Sequence, residues 1–199
     1  MKRLIIASNN TGKIKEISEI IGSRGFELLS LKDIGFTGEI MEGCHSFKEN
    51  AIKKALCVMG FAEELTLADD SGLEVDALGG QPGVLSARFS GQDATDESNN
   101  KKLLRLLSNI PEGERNAQFR CVMALVHPNG ERDIAEGICR GRIADKPKGD
   151  NGFGYDPIFI PDGYDKTFAE LGDGVKNAIS HRSIALEKLR WIMVGKGLI

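Results

Sequence analysis

Two adjacent carboxylates, Asp69 and Asp70, follow a short apolar run, Leu65 to Ala68, and precede Ser71-Gly72. The pattern predicts a buried strand that delivers acids to the edge of a sheet, with a Ser-Gly turn directly after them. A buried carboxylate is costly unless something pairs with it, and a divalent metal is one such partner. Paired acids at a strand end also serve as plain turn formers or helix caps, so the segment alone leaves both readings open.

Four other groups carry residue types suited to phosphate, metal or base chemistry. Ser8-Asn9-Asn10-Thr11-Gly12-Lys13 is a polar turn ahead of a helical pattern. Its short side chains hydrogen-bond, Gly12 admits close backbone approach, the helix N-terminus attracts anions and Lys13 adds a full charge. It lacks the GxxxxGK[ST] spacing of a Walker A loop, and an ordinary capped turn explains it equally. Glu49, Lys53 and Lys54 lie on one side of a second helical pattern, where a Lys-Lys pair reads as solvated surface. Glu42, in the loop before it, is placed to reach a metal; so is Glu39, and spacing does not choose between them.

The loop Gly149 to Pro157 sets Phe153 between Gly152 and Gly154, followed by Tyr155 and Asp156. A ring without bulky neighbours offers a stacking surface for a base, or folds back onto the core. Lys176 to Arg182 precedes the last helix. Cationic His181-Arg182 in a first helical turn opposes the macrodipole, and such local conflict marks a site. Arginine can read a purine O6 or N7.

The elements that must hold these residues follow from periodicity. Lys2 to Ala7 predicts a first strand, then a helix with Ile14, Ile17, Ile20 and Ile21 on one face. Phe26 to Ser30 is a second strand and Gly35 to His45 a loop. A helix starts at Ser46, with Phe47, Ala51, Ala55 and Val58 toward a core and Ser46/Glu49 at capping-box spacing. Thr66 to Ala68 and Leu73 to Val75 are extended; Leu78 to Gly91, with four glycines and a proline, is a structured loop. Ser98 to Leu107 is helical. Ala117 to His127 and Asp133 to Ile143 form an antiparallel hairpin through Pro128-Asn129-Gly130. Pro157 to Ile160 is a short strand and Ser180 to Met193 the final helix. Early alternation of strands and helices, then a hairpin, indicates an α/β fold with a mixed sheet.

With 199 residues the chain is long enough for one domain, or one domain with two lobes. A net charge of −3 without a basic stripe argues against a dedicated nucleic-acid surface. No stretch is long and apolar enough for a bilayer span or a signal-peptide core. Cys44, Cys57, Cys121 and Cys139 show no CxxC spacing, which predicts reduced thiols in the cytoplasm rather than a zinc site.

Five ordered segments together resemble the inosine/xanthosine triphosphate pyrophosphatases, also called Ham1-like proteins or non-canonical purine triphosphatases. They are SNNTGK at 8–13, SFKENAIKKA at 46–55, ADDSGLEVDALGGQPGVLSARFSG at 68–91, GFGYDPIF at 152–159 and KNAISHR at 176–182. The resemblance runs almost end to end, and the 68–91 block is highly specific. It implies an elongated mixed sheet flanked by helices, one domain over residues 1–199 with two lobes, no separable linker, and a nucleotide cleft between the lobes. It also implies a homodimer, dependence on Mg²⁺, and hydrolysis of ITP, dITP and XTP to monophosphate and pyrophosphate.

By the resemblance, Ser8, Asn9, Asn10, Thr11, Gly12 and Lys13 hold the triphosphate, and Lys54 adds charge to it. Asp70 binds metal and acts as general base, supported by Asp69; Glu42 is the second metal carboxylate. Ser71 touches substrate. Phe153, Gly154, Tyr155, Asp156, Lys176, His181 and Arg182 form the base and sugar pocket. The chain departs from the usual pattern at Ser8, where many relatives carry Thr, and at Asp150-Asn151, which replaces Thr-Gly. Rival readings are a Maf-like pyrophosphatase of other nucleotides and a nucleotide-binding regulator that does not hydrolyse.

Overall fold

The computed structural model describes residues 2–22, 25–40, 43 and 45–199. Six strands form one sheet in the order β2-β1-β3-β4-β5-β6. They are β1 (Lys2–Ile6), β2 (Phe26–Ser30), β3 (Thr66–Val75), β4 (Asn116–Val126), β5 (Arg132–Ile143) and β6 (Phe159–Pro161). β1 pairs in parallel with β2 and with β3, whereas β5 and β6 are antiparallel, so the sheet is mixed as expected. Among the described residues five α-helices accompany it: α1 (Thr11–Ile21), α2 (Phe47–Ala62), α3 (Asp96–Leu106), α4 (Phe168–Ile179) and α5 (His181–Gly195). Among the described residues no helix is long and apolar enough to cross a membrane.

The chain forms two compact units. The first comprises Met1–Asp70, Cys121–Gly137 and Arg182–Ile199; the second comprises Ser71–Arg120 and Ile138–His181. Each has its own core. In the first, Leu4 and Ile6 of β1 and Leu67 of β3 pack with Met123 and Leu125 of β4. α1 adds Ile17 and Ile21, with Ile14 and Ile20 partly buried against them, which is the face its sequence period requires. α5 adds Ala185, Leu186, Leu189 and Met193.

The second core is aromatic. Phe119 meets Phe159 with ring centroids 4.6 Å apart, Phe159 meets Phe168 at 5.4 Å, and His181 stacks on Phe119 at 4.7 Å. Leu73, Val75, Leu103, Leu107 and Ile143 complete it.

Three sequence expectations are corrected. Ser71-Gly72 is not a turn: β3 runs unbroken through both acids from Thr66 to Val75. The acids are paired within the fold, so the strand has no need to end where they begin. α3 opens at Asp96 rather than Ser98, because Thr95 is the N-cap and completes a reciprocal capping box with Ser98. α4 had no counterpart in the sequence reading. Gly172 lies inside it with non-helical backbone (φ 77°, ψ 173°), and glycine there masks the helical period.

In the first unit the β4–β5 connection is tied to the C-terminus. His127 Nε2–H donates to Asp133 Oδ2 at 2.8 Å, and Lys196 Nζ donates to Asp133 Oδ1 at 2.5 Å. Burial pulls the Asp133 carboxyl upward, but the hydrogen bonds from Lys196 and His127 outweigh this and hold it below the usual carboxylate range. A depressed folded-state pKa stabilises above the unfolded value and loses that contribution as pH falls. Asp133→Asn is therefore expected to cost about 1 kcal/mol at neutral pH, with a deficit that shrinks in acid. Urea midpoints at pH 7 and below pH 4 check this.

Candidate functional site

Side chains alternate across a strand, so Asp69 and Asp70 leave β3 on opposite faces and meet different partners. Asp70 faces α2. Asn50 Nδ2 donates to Asp70 Oδ2 at 3.0 Å and Lys54 Nζ donates to Asp70 Oδ1 at 3.0 Å. Positions 50 and 54 are one helical turn apart, and Ser46 caps that helix by accepting from Glu49 N–H at 3.2 Å. The Lys-Lys pair is thus not uniformly solvated surface: Lys53 and Glu49 are exposed, but Lys54 is only 5% exposed. Burial raises the Asp70 carboxyl above its ordinary pKa, and Lys54, Lys13 and Asn50 only partly offset it.

Asp69 is surrounded by cations. Lys13 Nζ lies 2.6 Å from its Oδ1, and Arg182 Nε donates to its Oδ2 at 3.1 Å. Arg182 also donates through Nη1 to Glu16 Oε2. Burial alone would raise Asp69, yet Lys13, Arg182 and Lys54 prevail and hold it far below the normal carboxylate range. Cys121 Sγ lies 3.5 Å from Asp69 Oδ2, and burial followed by the Asp69 charge pushes its thiol well up, which makes it inert as a nucleophile.

Neighbouring residues of one strand therefore hold carboxyls driven in opposite directions. Such a split is how one site keeps a fixed anion beside an acid poised to accept a proton. Lys13 and Lys54 each act electrostatically on both acids, so the four charges are one cluster.

Lys13 is delivered by the polar turn after β1. Asn10 is the N-cap of α1 and accepts from Lys13 N–H at 3.0 Å, and Asn10 N–H donates to Ser8 Oγ at 3.1 Å. Asn9, Asn10 and Thr11 are exposed, and Ser8, Gly12 and Lys13 half-buried. The turn thus sets exposed polar residues and Lys13 at a helix N-terminus, where the backbone dipoles favour anions.

The second unit gathers a separate cluster. Lys176 Nζ lies 2.5 Å from Asp156 Oδ2 and 4.4 Å from the centre of the Phe153 ring. Phe153 N–H donates to the same Asp156 oxygen at 2.9 Å. Glycine suits position 152, where φ is 80° and a Cβ would collide with the Asp156 carboxylate. Tyr155 is buried and its hydroxyl donates to Ser86 O at 2.8 Å. His181 stacks in the aromatic core of this unit.

Of the residues singled out from sequence, Lys13, Lys54, Asp69, Asp70 and Arg182 come together in the first unit, and Phe153 to Asp156 with Lys176 in the second. Arg182 is 1% exposed, and two of its three nitrogens hold Asp69 and Glu16. These bonds fix the guanidinium beside the two acids. Ser71 is half-buried beside Asp70 in the chain, and Glu39 is exposed. Glu42 lies outside the described residues. Sequence reasoning missed Asn50 and Glu16. The available signal was spacing: Asn50 stands four before Lys54 and Glu16 three after Lys13, each on a face already bearing a candidate lysine.

The fold and these clusters define an α/β protein with an acid–lysine centre built on one strand of a mixed sheet. Residues 4–192 match the model of the Ham1 family, and the chain belongs to that family. It is 51% identical over 192 residues to the dITP/XTP pyrophosphatase of Desulforamulus reducens, covering 96% of this chain and 95% of that protein. Identity to the dITP/XTP pyrophosphatase of Bacillus subtilis is 50% over 189 residues, 95% and 96% of the two chains. The structure of the Staphylococcus aureus Ham1 protein superposes with a TM-score of 0.88 at 40% identity, covering 98% of this chain and all (100%) of that one.

Proposed function

We propose that this protein hydrolyses the purine nucleoside triphosphates dITP, ITP and XTP to the monophosphate and pyrophosphate. The observation that carries the reading is Asp70. It is a carboxylate oriented by Asn50 and Lys54, raised in pKa, and set beside an Asp69 whose charge is already balanced. The relatives named as dITP/XTP pyrophosphatases support it.

In this reading the amides at the start of α1, with Ser8 and Lys13, hold the phosphate tail. Lys54 shares its charge between Asp70 and the phosphates. Asp70 orients the attacking water and takes its proton at a carboxylate oxygen. Lys13 and Lys54 neutralise the charge that gathers on the departing pyrophosphate. Phe153 offers a face on which a purine stacks, with Asp156 and Lys176 for the polar edge of the base.

Mg²⁺ belongs to the same reading. It takes one or two carboxylates and fills its remaining positions with waters and substrate phosphates. Asp70 supplies a hard oxygen donor of that kind, and Glu42 would be the second. Among the described residues no three His, Cys, Asp or Glu side chains are grouped to hold a metal ion, so in this reading substrate phosphates and waters would complete its shell. When bound, the ion would neutralise phosphate charge and acidify a water. The homodimer and a cytoplasmic location are carried by the family resemblance.

A panel of dITP, ITP, XTP, GTP, ATP and pyrimidine triphosphates, scored by pyrophosphate release with Mg²⁺ and with chelator, tests the proposal. Turnover of the first three is expected to exceed that of GTP and ATP by at least about tenfold, the scale on which one misplaced polar group discriminates. Preference for pyrimidines would favour the Maf-like alternative. Binding without pyrophosphate release would favour a regulator.

A further inference from the structure

The backbone next to Phe153 is held by residues that no motif contains. Gly154, which follows it, is bonded through the peptide groups on both its sides to the first turns of α3. Gly154 N–H donates to Asp96 Oδ2 at 2.6 Å, and Gly154 O accepts from Asn100 Nδ2 at 3.0 Å. On the other side Phe153 N–H is fixed to Asp156. Gly154 has φ 64°, in the left-handed region, so the chain reverses there, and a small rotation of either peptide would swing the ring.

α3 is a firm base for such a clamp. Leu103 is fully buried, and the Thr95 capping box fixes the first turn. Asn99 grips the 83–91 loop: its Oδ1 accepts from Ser90 N–H at 2.7 Å, and its Nδ2 donates to Ser86 O at 3.3 Å and Ala87 O at 3.2 Å. Tyr155, next to Gly154, donates to the same Ser86 carbonyl. Consecutive asparagines thus secure two loops at once. An acid at the start of a helix is favourable without any partner, and an exposed one ordinarily stays solvated. Asp96 instead reaches a backbone amide 58 residues away in the chain. Asn100 is buried to 6% exposure with its donor aimed at the carbonyl of the same glycine.

We propose that Asp96 and Asn100 are positioning residues for the Phe153 platform, setting affinity for the purine without touching the nucleotide. The proposal rests on the reading that the Phe153–Lys176 cluster receives the base. Loss of either clamp frees one of the two peptide groups that flank Gly154 and lets the ring sample orientations that cannot stack. The phosphate-binding turn and Asp70 are untouched, so the cost falls on the base.

Asp96→Ala and Asn100→Ala are expected to raise KM for ITP about tenfold, the scale of one charge-assisted or buried hydrogen bond, with kcat changed less than about threefold. Inhibition by inorganic tripolyphosphate, which carries no base, should match the parent. Asp96→Asn, which keeps an oxygen acceptor for Gly154 N–H, should restore KM. Asp96 is exposed, so its variants keep the fold even if Asn100→Ala does not; thermal melts verify that. Unchanged KM in Asp96→Ala, or equal weakening of ITP and tripolyphosphate, would overturn the proposal. A parent enzyme without purine triphosphate turnover would overturn the functional reading, and this inference with it.

Discussion

Asp70→Asn is expected to lower kcat on ITP by about 10²–10⁴-fold, the contribution of a positioned general base, while the metal-free protein melts no lower than the parent at neutral pH. The activity loss follows from replacing a proton acceptor with an amide of equal size. The stability half follows from linkage. Burial raises the Asp70 carboxyl, and Lys54, Lys13 and Asn50 do not fully compensate. A carboxyl whose folded pKa lies above its unfolded value binds its proton more tightly in the native state. Stability then falls as pH rises from the unfolded pKa through the folded one, and the ionised form is a net cost above that window. An amide mimics the protonated acid, and the Asn50 amide can turn over to accept from it. Kinetics with Mg²⁺ and melting in chelator measure the two halves. Turnover like the parent's would remove Asp70 from the base role; a melt several degrees lower would show that the carboxylate is structural.

The same balance explains which parts of the site were legible in the sequence. Asp69-Asp70 stood out because two acids after an apolar run demand partners. Their assignment to opposite faces was not visible, because Ser71-Gly72 mimics a turn while the chain remains extended. Lys54 read as surface because Lys53 stands next to it. The apolar face of α2 was legible, but Lys54 sits at its edge, and it is buried because a strand distant in sequence brings Asp70 against it. Glu16 carried no motif at all; it matters because Arg182, 166 positions later, lands on it. Local order was easier. The faces of α1 and α2 and the β4–β5 hairpin follow from period and turn chemistry, whereas α4 was hidden by Gly172 and Gly174. Asp96 and Asn100 were equally silent, since their partner is backbone and leaves no residue pattern.

Lys13→Met is expected to lower kcat/KM by about 10²-fold, the scale of one electrostatic donor lost at a transition state, and to destabilise the fold by about 3 kcal/mol at neutral pH. The stability figure is the low end for breaking a buried ion pair, because Arg182 still holds the other Asp69 oxygen. The pH dependence separates this from a packing defect. In the parent, burial pulls the Asp69 pKa up but Lys13, then Arg182 and Lys54, carry it far below the usual carboxylate range. A depressed folded pKa gives stability above the unfolded value and loses it as pH falls. Without Lys13 the effect of burial is less opposed, the Asp69 pKa climbs, and less stability remains to lose in acid. The gap between parent and variant should be widest near neutrality and narrow as pH falls through the raised folded-state pKa that Asp69 takes in the variant, since the unfolded chains titrate alike. Lys13→Arg, which keeps the charge, should close most of the gap. Urea midpoints at pH 7 and pH 3 report it: a gap independent of pH would mean that Lys13 stabilises through its aliphatic stem, and that Asp69 is neutralised by Arg182 alone.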